Sequence, residues 1–279
     1  MLPSVDDIQR IIMSALQEDF GQGDVTSSSV IPAGVTTTMH VVAREEMAVS
    51  GIEVAAMVFA AVDNQVDVQP RVEDGQMVAA GEVLMSVNGP AHAILAAERT
   101  ALNLLQRMCG IATMTARYVK AVEGTGAVIA DTRKTVPGLR TLDKYAVTCG
   151  GGRNHRMRLD DAVLIKDNHL AVAGSVAEAV ARARISVPVT MQVQVECDTL
   201  QQVREALQAG ADAVLLDNMD VATLCEAVAI VDGRMQTEAS GGVTLETVQA
   251  IAQTGVNRIS VGALTHSVKA ADIGLDSIG

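Results

Sequence analysis

Aromatic residues are nearly missing from this 279-residue chain, which has two Tyr, two Phe and no Trp. Readers of single-stranded nucleic acid stack bases on aromatic rings, so the scarcity argues against that class. The interior must be packed from Ala, Val, Ile, Leu and thirteen Met, within an apolar fraction of 49%. Net positive charge is also lacking. A formal charge of -12 repels a phosphodiester backbone or an anionic bilayer, which argues against nucleic-acid and membrane binding. The four cysteines, Cys109, Cys149, Cys197 and Cys225, fall in no CxxC or Cys/His spacing. Neither a zinc site nor a disulfide framework is expected, and a reducing compartment fits. No apolar run approaches the roughly 18 residues of a membrane span, and the opening MLPSVDDIQR is acidic where a signal peptide is basic. A soluble, cytoplasmic protein is expected.

Two further absences remove specific readings. No GxGxxG follows a first strand, so a dinucleotide-binding open sheet lacks its fingerprint. The stretch VEDGQMVAAGEVLMSVNG has turn spacing similar to lipoyl and biotinyl carrier domains. No lysine occurs before Lys120, however, so there is no attachment point for a prosthetic arm.

What is present is a rhythm. From about residue 126, short β-branched runs alternate with helical patterns of Ala, Leu and Val. The strand candidates are GAVIADTR (126 to 133), DAVLIKDN (161 to 168), VTMQVQVE (189 to 196), DAVLLDN (212 to 218), MQTEASGG (235 to 242) and RISVGAL (258 to 264). Helical candidates such as SVAEAVARARI, TLQQVREALQAG, VATLCEAVAIV and TLETVQAIAQTG lie between most of them. Such βα units predict a parallel sheet buried on both faces, closed or nearly closed into a barrel. Before residue 97 the pattern differs. An amphipathic helix at about 5 to 19 precedes short strands punctuated by DG, AG and NGP turns, which predicts a separate, mainly β, α+β domain. A long helix from Glu98 to about Val122 would link the two parts.

In α/β barrels the chemistry gathers at the carboxyl ends of the strands. Those ends carry Arg133 and Lys134, Lys166 and Asp167, Glu196, Asp217, Ser240 with Gly241 and Gly242, and then Gly262. Any one such residue is more often a solvated loop residue or a cap, but successive strands ending this way indicate a shared site. Residues 131 to 166 hold eight basic side chains against four acidic ones, inside a chain of net -12. A locally basic pocket suits a small polyanion. Gly150 to Gly152 and Gly241 to Gly242 would let backbone N–H groups approach an anion. Glu196 and Asp217 would bind Mg²⁺ or stabilise a developing sugar cation, or else pair with Lys166 or Arg133. His155, among arginines, reads either as a neutral hydrogen-bond donor to a carboxylate or as an ordinary polar-loop histidine.

Several stretches resemble a known family. ERTALNLLQRMCGIAT (98 to 113), DTRKTVPGLRTLDKYAV (131 to 147), CGGGRNHRMRLDDAVLIKDNH (149 to 169), DAVLLDNM (212 to 219), EASGGV (238 to 243) and ISVGALTHS (259 to 267) are similar to the quinolinate phosphoribosyltransferases. The resemblance implies an N-terminal α/β sandwich (1 to 105, with the extreme C-terminus a candidate to join it) and an incomplete, open seven-stranded α/β barrel (106 to 279). It implies transfer of phosphoribosyl from 5-phosphoribosyl 1-pyrophosphate to quinolinate with Mg²⁺ and loss of CO₂, for NAD biosynthesis. It also implies a homodimer, or an assembly of dimers, with shared active sites. By motif, Thr132, Arg133, His155, Arg156 and a partner subunit's Arg99 would hold quinolinate. Lys134 and Lys166 would meet the substrates' anionic groups, Glu196 and Asp217 would face the ribose and Mg²⁺-pyrophosphate, and Ser240, Gly241, Gly242, Val261, Gly262 and Ala263 would cradle the 5-phosphate. One departure is visible, because many relatives carry glutamate where this chain has Gln194.

Competing readings are a paralogous transferase associated with molybdenum transport, a Schiff-base aldolase using Lys166, and a non-catalytic anion sensor. The intact NHR and KDNH favour the quinolinate enzyme over the first. The charges around Lys166 speak against the second, since a Schiff-base lysine needs a depressed pKa.

Overall fold

A computed structural model describes residues 3–277. The chain divides into two compact units. The first comprises residues 1–116, 135–151 and 264–279, and the second 117–134 and 152–263.

The first unit opens with α1 (Val5–Phe20), where Ser4 accepts the N–H of Asp7 as a cap and Ile8, Ile11, Ile12 and Leu16 form the buried stripe. A short α2 (Val25–Val30), capped by Asp24, leads to β1 (Thr36–Ala43) and the two-residue β2 (Met47–Ala48). Next come α3 (Ile52–Val62), β3 (Asp67–Pro70), the two-residue β4 (Met77–Val78) and β5 (Val83–Pro90). The last strand of the chain, β12 (Ile273–Ser277), returns to pair antiparallel with β1, giving the order β12-β1-β5-β3. Residues 273–277 thus belong to this sheet.

The sequence pattern placed the long helix too late. It begins at Ala91 and runs to Ala121 as α4, directly after Pro90 closes β5. Proline ends the ladder because it has no N–H to donate, and the Ala-rich stretch that follows favours helix. The helix α3 was not foreseen either. It is apolar on nearly every face, so it shows little helical periodicity against which to recognise it. Also in this unit is α5 (Arg140–Cys149), fixed by a bidentate pair from Arg107 to the fully buried Asp143 at 2.8 Å. Gly150 follows α5, and a Cβ there would strike the backbone of Ala112 on α4. Close helix packing therefore accounts for this glycine, rather than the approach of an anion.

The second unit holds the expected βα series: β6 (Val128–Ala130), β7 (Val163–Ile165), α6 (Asp167–Ala173), α7 (Val176–Ser186), β8 (Val193–Cys197), α8 (Leu200–Gln208), β9 (Ala213–Asp217), α9 (Val221–Val231), β10 (Gln236–Ser240), α10 (Val248–Gln253) and β11 (Arg258–Ser260). The short α11 (Ala263–His266) follows β11. The strands are parallel in the order β6-β11-β10-β9-β8-β7. Ser175, Thr199 and Asp220 cap α7, α8 and α9, the last two fixing where a strand's loop turns into helix. Strand interiors such as Ala213–Leu216 are buried, as a sheet covered on both faces requires. Six strands are named where the resemblance implies seven, and an isolated parallel bridge between Ala130 and Arg153 lies where a further strand would add beside β6.

Candidate active site

Parallel pairing sets all six carboxyl ends of the second unit along one edge of the sheet, which is why distant charges in the sequence converge. The loop that carries the NHR motif is docked there by backbone. Arg153 donates to the carbonyl of Ile129 at 2.9 Å, and Asp131 donates to the carbonyl of Arg153 at 3.1 Å. The buried carboxylate of Asp131 then accepts the backbone N–H of His155 at 2.8 Å. Asp131 was not singled out from the sequence, yet it ties the end of β6 to the loop. Arg153 and Arg158 direct their side chains to solvent.

Arg156 is half-buried. Its Nη1 donates to the carbonyl of Ala162 at 3.0 Å, while its Nε is buried without a hydrogen-bond partner. Burial first, and then the neighbouring charge of Arg133, pull its guanidinium below the ordinary arginine range. Two guanidiniums that repel each other in a half-buried place gain most from a multiply charged anion between them. Thr132 Oγ1 accepts the N–H of Lys134 at 3.0 Å, turning the chain so that Arg133 is half-buried and Lys134 exposed.

Just after β7, Lys166 is the N-cap of α6, and its backbone N–H donates to Nδ1 of His169 at 2.9 Å. Its Nζ pairs with Oε2 of Glu196, at the end of β8. The ion pair entertained from sequence is therefore present. On the neighbouring β9, Asp217 accepts from Nδ2 of Asn218 at 2.6 Å. Asn218 adopts φ of 54°, a left-handed value that asparagine tolerates, and donates its backbone N–H to the carbonyl of Ser240 at 2.9 Å. That bond links the Asp217 turn to the SGG turn. At Gly241, φ is 93° and a Cβ would run into the Asn218 side chain, so only glycine fits. Gly242 is also left-handed, at 58°. Val261 donates to the carbonyl of Ala130 at 2.9 Å, which sets the following Gly262 and Ala263 beside the end of β6.

Glu238, in the middle of β10, was missed. It is fully buried, and its Oε2 accepts a hydrogen bond from Gln194 Nε2 at 3.0 Å, lies 3.3 Å from His155 Nε2 and makes an ion-pair contact with Arg258 Nε at 3.4 Å. Burial raises its pKa, but the hydrogen bond from His155, with that of Gln194 and the charge of Arg258, outweighs it and holds the carboxyl below the usual glutamate range. A charged residue inside an otherwise buried strand was the available signal. Gln194, the departure noted in the sequence, thus spends its amide on Glu238. Arg99 lies exposed on α4, in the first unit.

Residues 111–276 match the family model for the quinolinate phosphoribosyl transferase C-terminal domain, and residues 24–109 the model for its N-terminal domain. The chain belongs to the quinolinate phosphoribosyltransferase family. A Bacillus subtilis protein named as a probable nicotinate-nucleotide pyrophosphorylase (carboxylating) is 43% identical over 269 residues, 96% of this chain and 93% of that protein. A quinolinate phosphoribosyltransferase (decarboxylating) of Nicotiana tabacum is 46% identical over 288 residues, 96% of this chain and 82% of that one. The solved nicotinate-nucleotide pyrophosphorylase of Francisella tularensis superposes with a TM-score of 0.94 at 38% identity, covering 99% of this chain and 98% of that one. The expected family and α/β fold class are therefore both found, the latter with a six-stranded parallel sheet and a four-stranded antiparallel sheet.

Proposed function

We propose that the strand-end cluster of the second unit performs the reaction for which the family is named. Quinolinate and 5-phosphoribosyl 1-pyrophosphate give nicotinate mononucleotide, pyrophosphate and CO₂, a step of NAD biosynthesis. The observation that carries this reading is the Arg133 and Arg156 pair, two mutually repelling guanidiniums with a buried, unsatisfied Nε on Arg156. A pyridine bearing two adjacent carboxylates supplies the matching charge, in planar groups that arginine forks hold bidentately.

Arg133 and Arg156 take the two carboxylates, with Thr132 and His155 shaping their loops. Arg99 of a second copy completes the site in a homodimer. Lys134 and Lys166 meet further anionic groups, and Ser240, Gly241, Gly242, Val261, Gly262 and Ala263 offer backbone N–H groups to the 5-phosphate. When the C1–O bond to pyrophosphate breaks, positive charge builds on the ribose, and the nearby Glu196 and Asp217 stabilise it. The pyridine nitrogen donates its lone pair to C1. The resulting ring cation accepts the electrons left as the neighbouring carboxylate departs as CO₂, and a proton then takes that place on the ring.

The donor set suits Mg²⁺ of a particular kind. Among the described residues no group of three or more His, Cys, Asp or Glu side chains is placed to hold a metal ion. Glu196 and Asp217 are hard oxygen donors on adjacent strands, which matches a Mg²⁺ that takes one or two carboxylates and completes its shell from substrate phosphates and water. Bound there, it would neutralise the departing pyrophosphate. We take residues 1 to 105, joined by the C-terminal strand β12, as the sandwich domain, the rest of 106 to 279 as the transferase domain, and cytoplasm as the location.

The test is release of pyrophosphate from 5-phosphoribosyl 1-pyrophosphate, expected to require both Mg²⁺ and quinolinate. Equal turnover of nicotinate would overturn the assignment. Mixing Arg99→Ala with Arg133→Ala subunits is expected to restore activity, and failure to do so would place Arg99 outside the shared site.

A further inference from the structure

We infer that Glu238 is a positioning residue for quinolinate binding, holding His155 as the neutral Nε2–H tautomer so that its ring orders the loop of Arg156. The inference rests on the functional reading above for the identity of the ligand, but not for the tautomer.

Both ring nitrogens of His155 are engaged. Nδ1 lies 2.8 Å from the backbone N–H of Arg156, and since that amide can only donate, Nδ1 must be an unprotonated acceptor. Nε2 faces Oε2 of Glu238 at 3.3 Å, and since a carboxylate in this place already accepts from Gln194 and pairs with Arg258, Nε2 must carry the proton. The imidazole is thereby assigned one proton, and that proton is aimed at Glu238. A relay results: Glu238 accepts from His155, and His155 accepts from Arg156. The backbone N–H of His155, donated to Asp131 at 2.8 Å, holds the same residue from its other side.

The chemistry of Glu238 is suited to this. Its three partners converge on one oxygen, Gln194 and His155 as N–H donors and Arg258 as an ion-pair contact. A glutamate at position 194 would bring a second acceptor there, whereas the amide of Gln194 supplies an N–H that favours the ionised carboxylate. The carboxylate is fully buried and ends no strand, so it touches neither the sugar nor the phosphates in the proposed arrangement. His155 accordingly contributes to dicarboxylate binding through Arg156 rather than through its own N–H. This is the carboxylate–histidine logic of outer-shell groups that fix a ring's tautomer and angle.

Two measurements test the assignment. In wild-type protein labelled with ¹⁵N-histidine, the resonances lost in His155→Gln identify His155. At neutral pH they are expected to show an unprotonated Nδ1 and a protonated Nε2, and to keep that pattern on addition of quinolinate. An imidazolium, an Nδ1–H tautomer, or a change of protonation with ligand would overturn the inference. In steady-state kinetics, Glu238→Gln is expected to raise the KM for quinolinate by on the order of tenfold, with the KM for 5-phosphoribosyl 1-pyrophosphate within about twofold. Equal rises in both KM values, or a fall confined to kcat, would point to general loosening and overturn it. Should that variant fail to fold, the wild-type spectrum decides alone. A wild-type protein that ignores quinolinate would sink the functional reading while leaving the tautomer measurement intact.

Discussion

The carboxylate of Asp131, at the end of β6, accepts the backbone N–H of His155 at 2.8 Å, joining two parts of the chain 24 residues apart. Asp131 is fully buried, so removing it costs both a charge-assisted bond and the docking of the loop. Asp131→Ala is expected to destabilise the protein by about 1.5 to 3 kcal/mol in urea unfolding. It should also weaken quinolinate more than 5-phosphoribosyl 1-pyrophosphate in binding titrations. Asp131→Asn keeps an acceptor oxygen and should lose less of both.

Gly241→Ala is expected to abolish tight binding of the phosphoribosyl substrate. The added methyl faces a left-handed φ of 93° and the side chain of Asn218, which also hydrogen-bonds the Asp217 carboxylate. Isothermal titration with 5-phosphoribosyl 1-pyrophosphate reads the loss, while the second-unit core, distant along the strands from this turn, should keep the far-ultraviolet dichroism unchanged.

Thiol chemistry should separate the four cysteines. Desolvation pushes Cys109 and Cys197 up to about 12, and burial also raises Cys149, whereas Cys225 is exposed. Only the thiolate reacts quickly, so a disulfide reagent at pH 8 is expected to label Cys225 first and to reach Cys109 and Cys197 only after denaturation. The sign for stability follows. As pH climbs past the ordinary thiol range toward 12, the unfolded chain gives up these protons before the folded one does, so folding stability should fall with pH there.

In the first unit, Arg107→Ala leaves the buried carboxylate of Asp143 without its bidentate partner. A cost of about 3 to 5 kcal/mol is expected, read as a lowered midpoint in thermal or denaturant unfolding. Replacing both residues by apolar ones of similar volume should recover much of it.

Much of the second unit was legible beforehand because a parallel βα series writes its period into the chain. All six strand candidates overlap an observed strand, β8 running one residue past its candidate, and the expected helix VATLCEAVAIV coincides with α9. The same logic located Arg133, Lys166, Glu196 and Asp217, since a charge after an apolar run must leave the sheet at its edge. The count of basic residues between 131 and 166 was less faithful. Arg140 and Lys144 lie on α5 within the first unit, and Lys144 is fully buried, so neighbours in sequence were pooled across two units.

The sequence by itself determined the family, the alternation of strand and helix, and the set of charged strand ends, because periodicity and motif are local properties of the chain. Tertiary structure alone decided that Glu196 is paired with Lys166, that Asp131 anchors the loop of His155, and that Gln194, His155 and Arg258 converge on one carboxylate oxygen of Glu238. The contacts of Gln194 and Arg258 with Glu238 join strands 20 to 44 residues apart. Which side chains face one another across a parallel sheet depends on register and strand order, and neither is written in any single strand.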